Sequence, residues 1–412
     1  MREKNWILKG YADEREVLAL ADSLNISNIL ANLLIQRDVT NFFEAKAFFR
    51  PNLDELLDPL LMNGMEEAAQ RIIQSITENE PITIYGDYDV DGTCSATIMY
   101  LFLKEIGAKV DVYIPNRIND GYGLSKDGID IIKKRGSKLI VTVDCGITAV
   151  EEVKYARELG IEVIISDHHK AKEEIPAAYA VLDPLKPGCD YPFKYLSGAG
   201  VAFKLCRAIG DRFGHKELAL QFLDLVAMAS AADIVSLTGE NRILVRKGIE
   251  QINENPRPGI RALIKSSRME PGNLTAGQIV FSIAPRINAV GRLGDAQRAV
   301  ELFTAQNMDE AFQHAKILES ENNERRKIDE VTFTDAVAKA EQVVDFENDL
   351  GIVLHDNNWH PGVIGIVASR LVEKYNRPAI MLTTIDGLAK GSARSIQGFN
   401  IYGALKEFED LL

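Results

Sequence analysis

The chain has 412 residues and a mass of 45.7 kDa, which is long for one ordinary hydrophobic core, so two or three domains are expected. Hydrophobic residues make up 46% of the sequence and charged residues 26%, which excludes a disordered, collagen-like or fibrous chain. With 47 basic and 60 acidic residues the net charge is −13, which excludes a uniformly basic surface but allows a local arginine-lined cleft or bound divalent metals.

The cysteine content and the hydropathy of the sequence indicate the cellular compartment of the protein. No apolar run reaches the roughly 20 residues that cross a bilayer, and the first residues lack the apolar core of a signal peptide. The four cysteines form no CxxC pair, in a chain too long to need disulfide bonds for stability. We therefore expect a soluble, cytoplasmic protein that has no membrane partner.

The first half of the chain predicts a helical segment followed by an α/β domain. Residues 1–78 form an N-terminal helical segment that ends in an amphipathic stretch at 65–76. A domain over 79–236 follows, with predicted strands at 81–85, 110–114, 138–143 and 162–165 and helices at 93–106, 126–134, 149–159, 200–209 and 218–231. Strands that alternate with helices in this way predict an α/β fold, with an open, mostly parallel sheet and helices on both faces.

The second half predicts a connecting helix and a smaller lobe. Residues 237–307 read as a mixed helical segment, and 308–345 as a long connecting helix that is apolar at both ends and polar at 321–327. Two ordinary helices joined by a polar turn are the alternative. Residues 346–412 predict a second, smaller α/β lobe that is incomplete, with strands at 350–354 and 378–382 around a helix at 363–375.

Three carboxylates stand at alternate positions where the first strand is predicted to end: Asp87, Asp89 and Asp91. Carboxylates this close repel one another unless cations lie between them, and hard oxygen ligands favour Mg²⁺, Mn²⁺ or Ca²⁺. An EF-hand is excluded, because position twelve of its loop falls on Ile98 and a strand precedes the motif. A solvated acidic turn is the remaining alternative.

Further candidate ligands follow the later strands. Asp144 ends the third predicted strand, and Asp167 precedes His168 and His169 at the end of the fourth. The carboxyl ends of parallel strands face one crevice, so we expect four side chains to converge there, Asp89, Asp91, Asp144 and His168. Carboxylates with imidazole suit Mn²⁺ and can hold two ions about 3.5–4 Å apart. Asp233, an isolated acid in an apolar stretch, is explained equally well as a helix cap or as a ligand.

Arginines next to Gly, Pro or Ser form a second set, in predicted turns at 115–117, 284–293 and 391–395. Backbone N–H groups and a guanidinium in such turns can hold a phosphate. His360 lies directly before the predicted helix at 363–375, and the N-terminus of a helix is a suitable binding site for an anion. Each segment alone is explained by an ordinary turn, but together they predict a polyanionic ligand lying across both lobes.

The motifs at 87–92, 143–146, 167–169 and 232–233 resemble, in this order, those of the DHH phosphoesterase superfamily. With the arginine segments at 115–117 and 121–123, 284–288 and 291–293, and 391–395, the sequence is similar to the RecJ family of bacterial 5′→3′ exonucleases specific for single-stranded DNA. The resemblance covers roughly residues 10–412, in the same motif order throughout.

The resemblance implies a metal-dependent hydrolysis of single-stranded DNA to mononucleotides, in DNA repair and recombination. Two Mn²⁺ or Mg²⁺ ions would be held by Asp87, Asp89, Asp91, Asp144, His168 and Asp233. The catalytic residues would be Asp144 as the bridging ligand, His168, and His169 against the scissile phosphate. A strand with a 5′ phosphate would be held by Arg117, Arg286, Asn288, Arg292, His360, Ser392 and Arg394. A single-strand-binding protein or a helicase is the expected protein partner.

Two features depart from the family pattern. Superfamily members such as the pyrophosphatases carry a ligand His where Tyr85 stands here, so Asp87 or water is expected to complete that metal shell. The family's second lobe, of the DHHA1 type, normally continues into Gly-Gly-His and Ala-Ala-Gly segments and an oligonucleotide-binding barrel, and the sequence stops at Leu412 before them, as in a truncated product. The alternatives are a DHH phosphodiesterase for short oligonucleotides and an inactive, metal-binding nucleic-acid scaffold.

Overall fold

The computed structural model describes residues 6–117, 121 and 123–408. Three short helices come first, α1 (Glu14–Leu24), α2 (Asn28–Ile35) and α3 (Phe42–Phe49), each begun by a side chain that accepts backbone N–H groups: Asp13, Ser27 and Asn41. They enclose a small core of their own. Two 3₁₀ turns, Leu53–Glu55 and Pro59–Leu61, lead to α4 (Met65–Thr77).

None of the described helices is by itself long and apolar enough to cross a membrane. Only α1 and α2, which are bent by 112° at the break between them, pass the test of length and composition as a pair.

The central sheet has five parallel strands in the order β2-β1-β3-β4-β5. The strands are β1 (Ile82–Gly86), β2 (Val110–Tyr113), β3 (Leu139–Val143), β4 (Glu162–Ser166) and β5 (Ala180–Leu182). The helices of this lobe are α5 (Val90–Glu105), α6 (Lys126–Lys134), α7 (Val150–Glu158), α8 (Gly198–Phe213) and α9 (Leu223–Ala232). Separate apolar cores cover its two faces. The predicted α/β class with an open parallel sheet is confirmed.

Two details of this lobe differ from the prediction. The three-residue β5 was not predicted, because so short a strand has no readable alternation of apolar residues. The helix predicted at 218–231 is divided into a 3₁₀ segment, Leu218–Phe222, and α9.

A helical segment follows, with α10 (Gly239–Glu254), α11 (Pro258–Ser266), α12 (Ala276–Gln278), a π-helical stretch at Ile279–Ile283, α13 (Ala284–Leu293) and α14 (Gln297–Thr304). The arginine turn predicted at 284–293 is therefore wrong. Pro285 lies in the first turn of α13, which continues without a break from the π-helical stretch, and Ile287 and Val290 bury one face of the helix.

The connecting helix, α15 (Met308–Val343), is continuous over 36 residues, and the alternative of two helices is wrong. Its polar middle does not face only water, since Glu321 pairs with Arg298 of α14. On either side of it, Glu319 pairs with Arg286 of α13 and Asp329 with Arg370 of the second lobe, so the preceding helical segment and the second lobe both hold the helix through charged contacts.

The second lobe contains β6 (Ile352–His355), α16 (Ile364–Tyr375), β7 (Ala379–Ile385), β8 (Leu388–Arg394) and α17 (Ile401–Lys406). Its sheet order is β6-β7-β8, with β6 parallel and β8 antiparallel to β7. The turn predicted at 391–395 is wrong, since 391–394 lie within β8. The turn lies earlier, at Asp386 and Gly387, whose positive φ values of 50° and 80° suit a two-residue hairpin loop.

Candidate functional site

The turn after β1 brings the first acidic motif to the carboxyl edge of the sheet. Asp87 follows the strand, and Asp89 caps α5, its Oδ1 accepting the Gly92 N–H at 3.0 Å. The turn is tight at Gly92, where a Cβ would lie 2.5 Å from the Asp87 carbonyl oxygen. Asp91, in the first turn of α5, accepts the N–H groups of Gly198 and Ala199, both at 2.7 Å. The start of α8 therefore fixes the Asp91 carboxylate.

Asp144 follows β3 in a conformation that is uncommon for a residue with a side chain. Its φ of 61° lies in the left-handed region, and its carboxylate is nearly fully buried. Gly198 packs against it so closely that a Cβ on Gly198 would lie 2.6 Å from Asp144 Oδ1. The left-handed backbone of Asp144 directs its carboxylate into the site. The close packing of Gly198, which has no side chain, then fixes the carboxylate in one place.

The turn after β4 holds two histidines in different states. Asp167 Oδ1 accepts the His168 N–H at 2.8 Å and lies 2.7 Å from His169 Nδ1, and its Oδ2 accepts the Ile147 N–H at 2.9 Å. The hydrogen bond from Asp167 raises the pKa of His169 to about 9, whereas burial lowers the pKa of His168 to about 4. His168 is therefore neutral, as a metal ligand must be, and His169 is a cation at neutral pH.

The predicted ligands meet in one space. His168 Nε2 lies 3.0 Å from Asp144 Oδ1, 3.6 Å from Asp91 Oδ2 and 3.7 Å from Asp233 Oδ2. Possible ligand atoms form three groups, and within each group they all lie within 4.8 Å of one another. The groups are Asp87, Asp89 and Asp144; Asp144, His168 and His169; and Asp91, His168 and Asp233. Asp144 and His168 each belong to two of these groups. Asp233 is at once the C-cap of α9 and a neighbour of His168, so both explanations of it fit.

The carboxylates are crowded more closely than charged groups tolerate without cations. Burial and the neighbouring carboxylates raise the pKa of Asp87 to about 8 and that of Asp233 to about 6, and they raise the pKa values of Asp91 and Asp144 well above the ordinary value. Within the described part of the chain, three buried atoms here form no hydrogen bond: Asp87 Oδ1, and the facing pair Asp144 Oδ1 and His168 Nε2, which lie 3.0 Å apart without hydrogen-bond geometry. Such a donor set fits divalent cations with oxygen and imidazole ligands.

Tyr85, which stands where some superfamily members carry a ligand His, supplies no ligand here. Its side chain is fully buried in the apolar core, and its hydroxyl donates to the Gly123 carbonyl oxygen at 3.0 Å.

Cations gather where the second lobe meets the first. Arg292 donates from Nη1 to the Gly362 carbonyl oxygen at 3.0 Å. Burial, with Arg117 and Arg394 close by, lowers the pKa of Arg292 to about 10. Burial and Arg117 also lower the pKa of His360. Arg394 donates to Ser392 Oγ at 3.1 Å, so five of the predicted substrate-binding residues form one cluster: Arg117, Arg292, His360, Ser392 and Arg394. Among the residues that the structure describes, none of Arg117, Arg292 and Arg394 forms an ion pair with a carboxylate, and cations of this kind suit a phosphate.

Two of the predicted substrate-binding residues are engaged elsewhere. Arg286 pairs with Glu319 at 2.5 Å and donates to the Ser282 carbonyl oxygen at 2.6 Å. Asn288 Oδ1 accepts the Val90 N–H at 3.2 Å. The structure therefore gives Arg286 a role in holding α13 to α15, and Asn288 one in holding the start of α5. Tyr122, in the predicted segment at 121–123, lies outside the described residues.

Some residues of the site were not predicted. Lys390 lines a cavity of about 160 Å³ together with Arg117, Gly362 and Ser392. Its place on the same face of β8 as Ser392 and Arg394 follows from the two-residue period of a strand, which would have pointed to Lys390 had 391–395 been read as a strand. Arg325, on α15, adds its charge to the cluster around Arg292.

Comparisons with known proteins agree with this geometry. The chain matches the model of the DHH family, N-terminal domain, over residues 81–230 and that of the DHHA1 domain over residues 348–412. It is 42% identical to the single-stranded-DNA-specific exonuclease RecJ of Bacillus subtilis (strain 168), over 97% of this chain and 50% of that protein. It is 37% identical to the protein of the same name from Dickeya dadantii (strain 3937), over 95% of this chain and 69% of the relative.

Solved structures give the same result. The crystal structure of RecJ from Thermus thermophilus in complex with Mn²⁺ matches with a TM-score of 0.84 and 31% identity, over 98% of this chain and 57% of that one. A crystal structure of exonuclease RecJ bound to manganese matches with a TM-score of 0.76 and 35% identity, over 87% and 88% of the two chains. The chain thus spans about half the length of the Bacillus subtilis relative that it matches.

Proposed function

Because this chain belongs to the RecJ family, within the DHH family, we propose that it is a metal-dependent exonuclease that degrades single-stranded DNA from the 5′ end to mononucleotides, in DNA repair and recombination. The observation that carries the proposal is the convergence of carboxylates and an imidazole from separate turns, with buried ligand atoms that form no hydrogen bond. The names of the relatives supply the substrate class.

Two divalent cations, Mn²⁺ or Mg²⁺, would be held by Asp87, Asp89, Asp91, Asp144, His168 and Asp233. Asp144 is the proposed bridging ligand, because it alone of these six residues shares a group with the β1 turn and another with His168 and His169. When bound, such a pair of ions activates water as a nucleophile and neutralises the charge that develops on a phosphoryl group.

His169 is proposed to contact the scissile phosphate. Its Nδ1 is held by Asp167, which keeps the ring protonated and fixes its orientation, and 44% of its side chain remains exposed for a ligand. A fixed cation next to a phosphate stabilises the transition state more than a mobile one does, because it needs no reorganisation. Asp167 thus acts through His169, as a positioning residue.

The arginine cluster is proposed to bind the 5′ phosphate and so to select the 5′ end. Arg117 lies over the ring of Tyr88 at 5.0 Å, and Arg394 is held by Ser392, so both guanidinium groups have supports that do not neutralise them. Contacts of this kind are made to phosphate and not to base edges. Binding should therefore depend strongly on salt and weakly on base sequence.

An exonuclease restricted to single strands depends on other proteins to expose or present those strands. We propose a helicase or a single-strand-binding protein as its partner, and the cytoplasm as its location. Both follow from the class of substrate that the relatives' names give.

The test is a degradation assay with strands that carry a 5′ phosphate and a label at either end, with Mn²⁺ or with a chelator. We expect early release of the 5′ label as a mononucleotide, only with metal, and loss of this activity in Asp144→Asn. Asp130→Asn, the same change on α6 outside the site, is the matched control.

Other results would change the assignment. Faster turnover of dinucleotides than of long strands would indicate a short-oligonucleotide phosphodiesterase. Binding of the strand without cleavage by the metal-loaded protein would indicate a scaffold, and early release of the 3′ label would contradict the proposed polarity.

A further inference from the structure

The N-terminal helices carry an apolar groove that nothing in the described chain fills. In α2, Ala31 and Leu34 face the small core of this unit, whereas Leu30 and Leu33, on another side of the helix, are 51% and 41% exposed. Together with Phe49 of α3 they line a cavity of about 600 Å³. Apart from Asn28 and Asn32, the residues of α2 are apolar on the exposed side as well as on the side that packs on the core, so α2 has the composition of a helix with a second packing partner.

The rim of this groove is basic. Its charged lining residues are Arg37, Lys46 and Arg50, and no carboxylate of the described residues lines it, although the whole chain has a net charge of −13. Arg37 donates to the Leu33 carbonyl oxygen, and within the described residues none of the three cations pairs with a carboxylate. Glu44, the acidic residue nearest in sequence to Lys46, accepts hydrogen bonds from the backbone and side chain of Thr40. The rim is thus left complementary to a negatively charged partner.

The three aromatic residues of the groove are poorly arranged for stacked bases, and one of them, Phe42, packs edge to face against Phe43. Phe48 and Phe49 pack edge to face, with an interplanar angle of 84° and a centroid distance of 5.1 Å. The guanidinium of Arg242 lies 3.5 Å from the centroid of the Phe48 ring and covers it. A single-strand platform needs open, parallel ring faces, and much of this lining is aliphatic, which favours a peptide over a nucleic acid.

We propose that this groove docks an acidic amphipathic segment of a partner protein, with bulky apolar side chains in the groove and Asp or Glu against the three rim cations. None of the lining residues belongs to the metal centre or to the arginine cluster, so the proposal is independent of the nuclease activity. An apolar face laid into a groove with charges at its border is a common mode of helix recognition.

The test is fluorescence anisotropy of the full chain with a set of labelled 16-residue peptides. They carry Leu or Phe at i, i+3, i+4 and i+7, in every register, with Glu and Asp at the other positions. Matched sets carry Lys in place of the acids, or the same residues in scrambled order. The protein variants are Leu33→Glu for the floor of the groove and Lys46→Glu with Arg50→Glu for its rim. Lys134→Glu with Lys316→Glu, at exposed positions of α6 and α15, is the control for total charge.

We expect at least one acidic peptide to bind, with an affinity that falls tenfold or more in each groove variant and on raising the salt, and that is unchanged in the control variant. The changed side chains are exposed, and an unchanged melting temperature and unchanged nuclease activity would show that the variants are folded.

Three results would overturn the proposal. The first is that no acidic peptide binds, or that the basic and scrambled sets bind equally well. The second is that the same variants lose affinity for single-stranded DNA, which would make the groove a nucleic-acid surface. The third is a concentration-dependent dimer abolished by Leu33→Glu, which would make it a contact between two copies of this chain.

Discussion

Gly198 provides the sharpest test of how the candidate metal centre is built. A Cβ at this position would lie 2.6 Å from Asp144 Oδ1, whereas ordinary contact begins at 3.4 Å, so the two groups must separate by about 0.8 Å. Rotation of the Asp144 side chain would move its carboxylate away from the other candidate ligands. A shift of α8 would break the hydrogen bonds that the Gly198 and Ala199 N–H groups donate to Asp91. Either movement displaces one of the proposed ligands.

A displacement of this size is expected to reduce turnover about 100-fold in Gly198→Ala, equivalent to about 2.7 kcal/mol of transition-state stabilisation. The melting temperature should change little, because overpacking of about 1–3 kcal/mol is partly offset by the helix preference of Ala over Gly, about 1 kcal/mol. The assay is degradation of a 5′-phosphorylated strand at saturating Mn²⁺, with calorimetric titration of the metal as a second readout. The titration should show at least tenfold weaker binding.

Gly200→Ala is the matched control, two residues along the same helix. Its Cβ would meet the Leu196 side chain at 3.2 Å and no carboxylate. Activity and metal affinity of Gly198→Ala within threefold of Gly200→Ala would show that this close approach does not position the Asp144 carboxylate, and would refute the reasoning.

The remaining predictions concern the metal, the 5′ end and stability. Binding of each Mn²⁺ at 100 times its dissociation constant should stabilise the fold by about 2.7 kcal/mol, so two ions should add about 5.4 kcal/mol, measured by thermal unfolding with and without a chelator; an unchanged melting temperature would contradict a metal site in the folded state. Without metal, the pKa values of Asp87, about 8, and Asp233, about 6, lie above their unfolded values, so stability present at pH 4 should be lost as the pH rises through 6 and then 8, and Mn²⁺ should reverse this loss. If the stability of the metal-free protein did not change between pH 5 and 8, the raised pKa values of these carboxylates would be contradicted. Arg117→Gln should lower the preference for a 5′ phosphate over a 5′ hydroxyl about tenfold to a hundredfold in kcat/KM, the effect of one charge-assisted hydrogen bond, and an unchanged ratio would remove Arg117 from the 5′ site. Lys204→Ala should destabilise the fold by about 3–5 kcal/mol in denaturant unfolding, because it leaves the carboxylate of Glu240 buried without its cation, and a loss below 1 kcal/mol would contradict that account.

The convergence of the candidate ligands could be predicted from the sequence, because one topological rule was enough. Once three strands of a parallel sheet each end in a carboxylate or imidazole, their turns meet at one edge without any knowledge of side-chain packing. The acidic turn after β1 and the turns that carry Asp144 and His168 therefore came together as predicted.

The arginine residues show where the sequence did not suffice. Arg286 and Arg292 lie six residues apart on α13, which places them roughly 240° apart around the helix. The sequence around them does not indicate which of the two faces a ligand. Glu319, on a helix distant in sequence, determines this, because it pairs with Arg286 and leaves Arg292 in the cluster between the lobes.

Gly198 and β8 were missed for related reasons. Gly198 is an unremarkable helix start in the sequence, and only its contact with Asp144, 54 positions away, gives it a role in the site. The small residues of the 391–395 segment favour a turn locally, but pairing with β7 makes them a strand. Contacts between distant elements, which periodicity does not encode, decided both cases.

The proposed function depends on two divalent cations held between the turns after β1, β3 and β4. A crystal of the chain soaked in Mn²⁺, with anomalous diffraction recorded at the manganese edge, tests it directly. We expect two peaks about 3.5–4 Å apart, with Asp144 touching both and His168 touching one. A single peak away from Asp144, or no peak at a Mn²⁺ concentration that supports activity, would contradict it.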